Sequence, residues 1–211
     1  QNSSTGATFL NWDFGDGITS TLQNPNHVYD SGSYSVKLRI VTTQGCVDST
    51  IFDSVRVGIK PVAAFSAVPL TVCAFTPVQF TDLSTGNPNQ WFWDFGDITS
   101  STLQNPTHIY QDTGLFSIRL FIFNNRCPDT SIVQNYIRVL PPISRFAYAV
   151  NCGINKLQIQ FTDQSVAPMT WNWDFGDGNF SILQNPSHTY ATLGTYTVSL
   201  TVTNGSCSHQ V

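Results

Sequence analysis

The stretch Trp-Asp-Phe-Gly-Asp occurs three times in this chain, beginning at Trp12, Trp93 and Trp173. No other feature of the sequence restricts the fold as tightly. The offsets are 93 − 12 = 81 and 173 − 93 = 80. The likeness runs on after each copy, as WDFGDGITSTLQNPNHVYDSGSYSVKLRI, WDFGDITSSTLQNPTHIYQDTGLFSIRLFI and WDFGDGNFSILQNPSHTYATLGTYTVSLTV. Cys46, Cys127 and Cys207 keep the same step of 81 and 80. A period of this size is a whole small domain, longer than a solenoid repeat. The 211 residues therefore hold two to three units.

Each unit reads as antiparallel β. Tyr34, Val36, Leu38 and Ile40 alternate with Ser35, Lys37 and Arg39, and the pattern returns at Phe116–Ile122 and Tyr196–Val202. A period of two with one polar face marks a half-buried strand. Val78 with Phe80, and Leu157, Ile159 and Phe161, give a second strand; Trp91 with Trp93 and Trp171 with Trp173 give a third. Gly-Asp, Asn-Pro and Thr-Gly fall between them as turn signals. About seven short strands and a buried Trp point to an immunoglobulin-like sandwich.

Composition narrows the function. Charged residues make up 10% of the chain, with nine Lys plus Arg against thirteen Asp plus Glu. No basic patch recommends a nucleic-acid partner. No apolar run reaches the ~18 residues of a membrane-spanning helix. Nothing matches a nucleophile elbow, a zinc-protease His pair or a phosphate loop, and an active site is rarely triplicated in tandem. The chain is expected not to be an enzyme.

W-D-F-G-D-G, then N-P-x-H-x-Y, then G-x-Y-x-V-x-L resembles the PKD domain. The Cys after the last motif is similar to PKD arrays of secreted and surface proteins of Bacteroidota. The resemblance implies an all-β fold of tandem immunoglobulin-like sandwiches, here 1–58 as a partial domain without its first strands, 59–141 as a complete one, and 142–211 without its last strand. The unmatched ends suggest a window on a longer array, with strand exchange between copies as the other reading. The joints VGIKPV and VLPPIS are short and stiffened by Pro61, Pro141 and Pro142. They predict an extended rod of roughly 100 Å for strands of ~33 Å.

Within the motif, Trp12, Trp93 and Trp173 are expected in the core. The carboxylates of Asp13, Asp16, Asp94, Asp97, Asp174 and Asp177 suit turn N–H groups, as in Asx turns. Paired Asp could also ligate Ca²⁺, but the three or more oxygen ligands of a calcium loop are not written here. No metal and no cofactor are expected. Ile98 replaces Gly17 and Gly178, which argues against a left-handed residue at that place in the middle unit. His27, His108 and His188 read as structural, hydrogen-bonded in a turn. Tyr29, Tyr110 and Tyr190 resemble the tyrosine corner, whose hydroxyl returns to nearby backbone.

The five cysteines leave one odd. Cys73 to Cys127 and Cys152 to Cys207 are similar spacings, 127 − 73 = 54 and 207 − 152 = 55, which suits pairing within each unit. Strand order objects. In the immunoglobulin-like order the loops carrying Cys73 and Cys127 lie at opposite poles, roughly 25–30 Å apart, and a disulfide needs Cα atoms within ~7 Å. Head-to-tail units would instead bring Cys73 to Cys207. Cys46, Cys127 and Cys152 would then reach neighbouring units. Strand order favours this inter-unit bond, and spacing keeps Cys73–Cys127 open.

The low Lys content, Ser/Thr-rich surface and ordered cysteines indicate an extracellular or cell-surface protein. N-x-S/T sequons stand at Asn2, Asn179 and Asn204, and the resemblance to Bacteroidota arrays implies instead that Asp-Ser-Thr at Asp48 and Asp-Ser-Val at Asp53 are O-glycan candidates. Two functions fit. One is a non-catalytic structural segment of an adhesin, stalk or filament, whose partners are neighbouring PKD units or copies of itself. The other is an accessory spacer or a carbohydrate- or protein-binding module of a secreted hydrolase. Phe123, Tyr148 and Phe180 depart from the repeat and are the candidates for contact with a surface glycan or protein.

Overall fold

The computed structural model describes residues 2–150 and 157–211. Cys152 lies outside the described residues. No helix forms among them, and so none is long and apolar enough to cross a membrane. The first repeat supplies β1 (Phe9–Asp13), β2 (Thr19–Ser20), β3 (Gly32–Val41) and β4 (Val47–Val57). The middle repeat supplies β5 (Phe65–Val68), β6 (Thr71–Cys73), β7 (Pro77–Asp82), β8 (Gln90–Asp94), β9 (Ser100–Ser101), β10 (Thr107–Ile109), β11 (Gly114–Asn124) and β12 (Cys127–Leu140). The third supplies β13 (Phe146–Val150), β14 (Gln158–Asp163), β15 (Thr170–Asp174), β16 (Phe180–Ser181), β17 (Ser187–Thr189), β18 (Ser199–Thr203) and β19 (Ser208–Gln210).

The middle repeat is a two-sheet sandwich, with orders β10-β7-β5 and β6-β12-β11-β8-β9. All its described pairings are antiparallel except β6 on β12, where Arg138, Val139 and Leu140 run parallel to Thr71, Val72 and Cys73. The third repeat repeats this plan as β13-β14-β17 and β16-β15-β18-β19. Its β19 is three residues, where the middle repeat has the fourteen of β12. The first repeat forms one sheet, β2-β1-β3-β4. Its β4 is an edge strand and leaves the adjacent Ile51 and Phe52, which point to opposite faces, both exposed.

The chain divides into two compact units: Gln1–Ala64 with Ser84–Trp91 and Phe121–Thr130, and Phe65–Leu83 with Phe92–Leu120 and Ser131–Val211. This division runs through β8, β11 and β12 and so does not follow the sequence repeat. In the second unit the alternation of β7, β8 and β11 delivers Val78, Phe80, Trp93, Ile118 and Leu120 to the interior, each essentially without solvent contact. The third repeat packs Phe161, Trp173, Phe175, Tyr190, Leu200 and Val202 in the same way.

The turn after Trp-Asp-Phe corrects one expectation. Ile98 adopts φ +67° beside Gly17 at +89° and Gly178 at +90°, so the left-handed place is kept without glycine. The side chain is fully exposed and meets no competing packing, which leaves turn closure to set the backbone.

Candidate functional site

The Trp-Asp-Phe-Gly-Asp turn is the place where polar side chains gather, and it is built alike three times. Strand β8 ends at Asp94, whose Oδ1 accepts the Gly96 N–H at 3.0 Å. Three residues on, Asp97 Oδ1 accepts the Thr99 N–H at 3.1 Å. The same pair of Asx turns is made by Asp13 and Asp16 on Gly15 and Ile18, and by Asp174 and Asp177 on Gly176 and Asn179. Asp has a short side chain that reaches its own backbone two residues ahead, which is why it recurs here. The intervening glycine is obligatory. Gly96 sits at φ +80° with the Ser117 carbonyl where a Cβ would be, and Gly15 and Gly176 stand likewise over Ser35 and Thr197.

The second carboxylate of each turn also holds a histidine eleven residues ahead. His108 Nε2 lies 2.7 Å from Asp97 Oδ2; His27 meets Asp16 at 2.6 Å, and His188 meets Asp177 at 2.7 Å. An ionised carboxylate only accepts, so Nε2 carries the shared proton. Each imidazole lies flat on the motif's Phe and edge-on to the Tyr two residues later. For His108 the centroid distances are 4.2 Å to Phe95 and 4.5 Å to Tyr110. Burial pushes the Asp97 carboxyl up, but hydrogen bonds from Thr99 and His108 outweigh it and hold the group below its usual range. Asp16 and Asp177 are lowered in the same sense against burial, with their histidines the leading opposing contact. Burial, then the charges of Asp97 and Asp94, raises the Tyr110 phenol.

Each carboxylate and imidazole of this cluster thus makes a bond that closes or braces the turn. The Trp indoles donate to Leu22, Leu103 and Leu183 carbonyls at 3.1, 2.9 and 2.9 Å. Tyr29, Tyr110 and Tyr190 donate to the Phe14, Phe95 and Phe175 carbonyls, fifteen residues upstream and inside the turn itself. This differs from the expected tyrosine corner. That bond belongs to Tyr34 on β3 and to Tyr196 in the segment before β18, which donate four residues back to Asp30 and Thr192. Phe116 takes their place in the middle repeat and has no hydroxyl.

Sequence reasoning missed the Asp–His pair and a glutamine. Gln79 donates its amide to the Phe80, Asn105 and Pro106 carbonyls, and Gln160 does so to Phe161, Asn185 and Pro186. The constant eleven-residue interval from Asp to His was the available signal for the first. Among the described residues no three His, Cys, Asp or Glu side chains gather as a metal site would require.

Of the cysteines, Cys73 is joined to Cys207 across a sequence separation of 134, with Cα atoms 5.7 Å apart. Strand β6 ends at Cys73, and Cys207 stands in the turn before β19. Phe75 stacks on His209 at 4.1 Å beside the bond, and His209 Nδ1 accepts the Ser144 N–H at 3.1 Å. Cys46 and Cys127 are free thiols. The third repeat also has an open cleft of about 450 Å³ lined by Phe146, Tyr148, Ile159, Tyr190 and Tyr196 among others. Tyr148 is two-thirds exposed there, Phe180 is exposed on β16, and Phe123 is half-buried on β11.

A family model described as PKD domain matches residues 1–57, 59–139 and 142–210. Among solved structures the chain is similar to a carbohydrate-binding module of the β-sandwich superfamily, at 13% identity over 73% of this chain and 84% of that one, TM-score 0.38. It is similar to the amphioxus IgVJ-C2 molecule at 12% identity over 64% and 92%, TM-score 0.36. It is also similar to an NMR structure from Methanosarcina mazei at 22% identity over 67% and 89%, TM-score 0.32.

Proposed function

The chain belongs to the PKD-domain family, and on that premise we propose that it is a non-catalytic structural segment of an extracellular adhesin, stalk or filament. One observation carries the reading: the Cys73–Cys207 bond joins the middle repeat to the third. A cross-link between successive domains does nothing for a single sandwich core. It resists separation of neighbours, and disulfides persist in oxidising compartments. The triplicated Asp–His–Phe–Tyr cluster supports the non-catalytic part, because its carboxylates, imidazoles and phenols bond one another and the backbone of the turn in the same way three times. The extended rod expected from the short joints belongs to this proposal. Small-angle scattering of the chain tests it, and electron microscopy of the native cell surface tests the filament. Fibres built on this protein support the reading; only compact monomers at the surface overturn it.

The cleft beside Tyr148 favours a second reading, a carbohydrate- or protein-binding module of a secreted hydrolase. Open apolar clefts with aromatic walls are the usual form of binding sites. Glycan-array binding that Tyr148→Ala abolishes, with folding intact, would establish it over the first.

A further inference from the structure

The cysteine bonded in the third repeat has an equivalent in the middle one. Cys127 precedes Cys207 by 207 − 127 = 80, the same step that separates Trp93 from Trp173. Their settings match. In the third repeat the segment entering the sandwich is tied to the start of its last strand by the Ser144 N–H donating to His209 Nδ1. In the middle repeat the Ala63 N–H donates to Asp129 Oδ2 at 2.8 Å, and these two residues stand 144 − 63 = 81 and 209 − 129 = 80 before the other pair. Cys207 thus faces the repeat ahead of it, where Cys73 lies. Cys127 also faces what arrives from ahead: its thiol points to the Gly58 carbonyl oxygen at 3.6 Å, and Gly58 belongs to the joint that leads out of β4.

A free Cys is often a small apolar filler of a core. Cys127 is half-buried at the first position of β12, directly after the Asn125–Arg126 turn and with its thiol on a backbone carbonyl, so that role does not describe it.

We propose that Cys127 is the acceptor of a second inter-unit disulfide. Its partner is a cysteine that ends the β6-equivalent strand of a PKD unit completing the sandwich ahead, as Cys73 ends β6. This rests on the extracellular reading above. Formation follows thiol–disulfide exchange with a protein or small-molecule disulfide as oxidant. One cysteine thiolate attacks the oxidant's S–S bond and releases one thiolate of it. The other cysteine thiolate then displaces the second. One S–S bond forms in the protein and one breaks in the oxidant, which leaves as two thiols with the two protons lost by the cysteines. The partner strand comes from the same polypeptide or from another copy. In both cases the cross-links recur once per repeat, and load passes between units through covalent bonds.

The test is disulfide mapping of the native protein, taken from its cell surface with free thiols alkylated before reduction. The expected result is a linked peptide pair joining Cys127 to a cysteine at the end of such a strand. Loss of mass on reduction assigns the bond to two copies, and unchanged mass assigns it to one chain. Cys127→Ser should remove this peptide pair and leave Cys73–Cys207 intact. Cys127 recovered alkylated, capped by a small thiol, bonded to Cys46 or bonded to a cysteine elsewhere overturns the proposal. If Cys73–Cys207 remains bonded in that case, the staple alone fails. If Cys73 and Cys207 are also recovered alkylated, the extracellular reading fails with it.

Discussion

His108 lies flat on Phe95, with ring planes 3° apart and centroids 4.2 Å apart. The same stack recurs at His27 on Phe14 and His188 on Phe175, with planes 7° and 1° apart. It converts a turn of exposed polar residues into a fixed wall of the sandwich, because the imidazole presents an apolar face to the ring and a donor to Asp97 at once. The repeated motif is therefore a folding element, and four predictions test its parts.

The first concerns acid. The folded carboxyl of Asp97 is held below its usual range, so its contribution is present above the unfolded value of about 3.9 and is lost as pH falls through the folded one. Asp163 follows the same sense: hydrogen bonds from Ser165, Trp171 and Gln184 outweigh the burial that raises it. The melting-temperature difference between the parent protein and Asp97→Asn should hold steady from neutral pH down to about 4 and then shrink. Asp97→Asn should lower the melting temperature at neutral pH and flatten its fall in acid. An unchanged acid limb in that variant would disprove the assignment.

A second prediction uses the odd residue of the middle turn. A β-branched side chain in the left-handed region costs about 1–2 kcal/mol, and Ile98 makes no packing that repays it. Glycine costs about 0.5–1 kcal/mol in unfolded-chain entropy. Ile98→Gly should therefore stabilise the middle sandwich by up to about 1 kcal/mol. Gly178→Ile should destabilise the third. Urea midpoints at constant slope measure both.

Gly96 carries the third. An added Cβ would meet the Ser117 carbonyl oxygen at 2.5 Å while the backbone sits at φ +80°. Backbone, unlike the tip of a side chain, cannot swing aside. Gly96→Ala should cost about 2–3 kcal/mol, read by chemical denaturation. Gly17→Ala, at φ +89° with nothing within 4 Å, should cost about 1–2 kcal/mol from strain alone.

The fourth separates the two kinds of tyrosine. The Tyr110 hydroxyl is buried and donates to Phe95 O at 3.2 Å, so Tyr110→Phe leaves a buried carbonyl unpaired and should cost about 1–2 kcal/mol. Tyr34 and Tyr196 make exposed bonds four residues back, and their Phe variants should each lose about 0.5–1 kcal/mol. Phe116→Tyr should gain a similar amount by supplying the missing bond to the Asp112 carbonyl. Equal costs at Tyr110 and Tyr196 would contradict this division.

Much of the strand plan was legible because alternation is local. Tyr34, Val36, Leu38 and Ile40 announce which face of β3 turns inward before any partner is known, since successive residues of a strand must point oppositely. The roles of Asp97 and His108 were not legible in this way. Each looks like a turn residue on its own, and their meeting depends on β8 and β10 being brought together through separate sheets. The tyrosines mislead for a related reason. Tyr29 and Tyr34 are close neighbours in the chain, and motif position cannot tell which hydroxyl returns to the local backbone and which crosses to the Phe14 carbonyl.

Fold class, the steps of 81 and 80, and the family all follow from the order of residues, because they rest on periodicity and on a motif written three times. The same order narrowed the cysteines to two pairings and favoured Cys73–Cys207 only through an assumed strand order, since separations of 54 and 134 are both compatible with a flexible chain. Packing selected Cys73–Cys207, with Cα atoms 5.7 Å apart. It did so for a geometric reason. Strand β6 pairs in parallel with the end of β12, so Cys73 lies opposite Leu140 at the far end of a fourteen-residue strand from Cys127. At ~3.3 Å per residue that strand holds the two cysteines of one repeat apart and leaves Cys73 for the next.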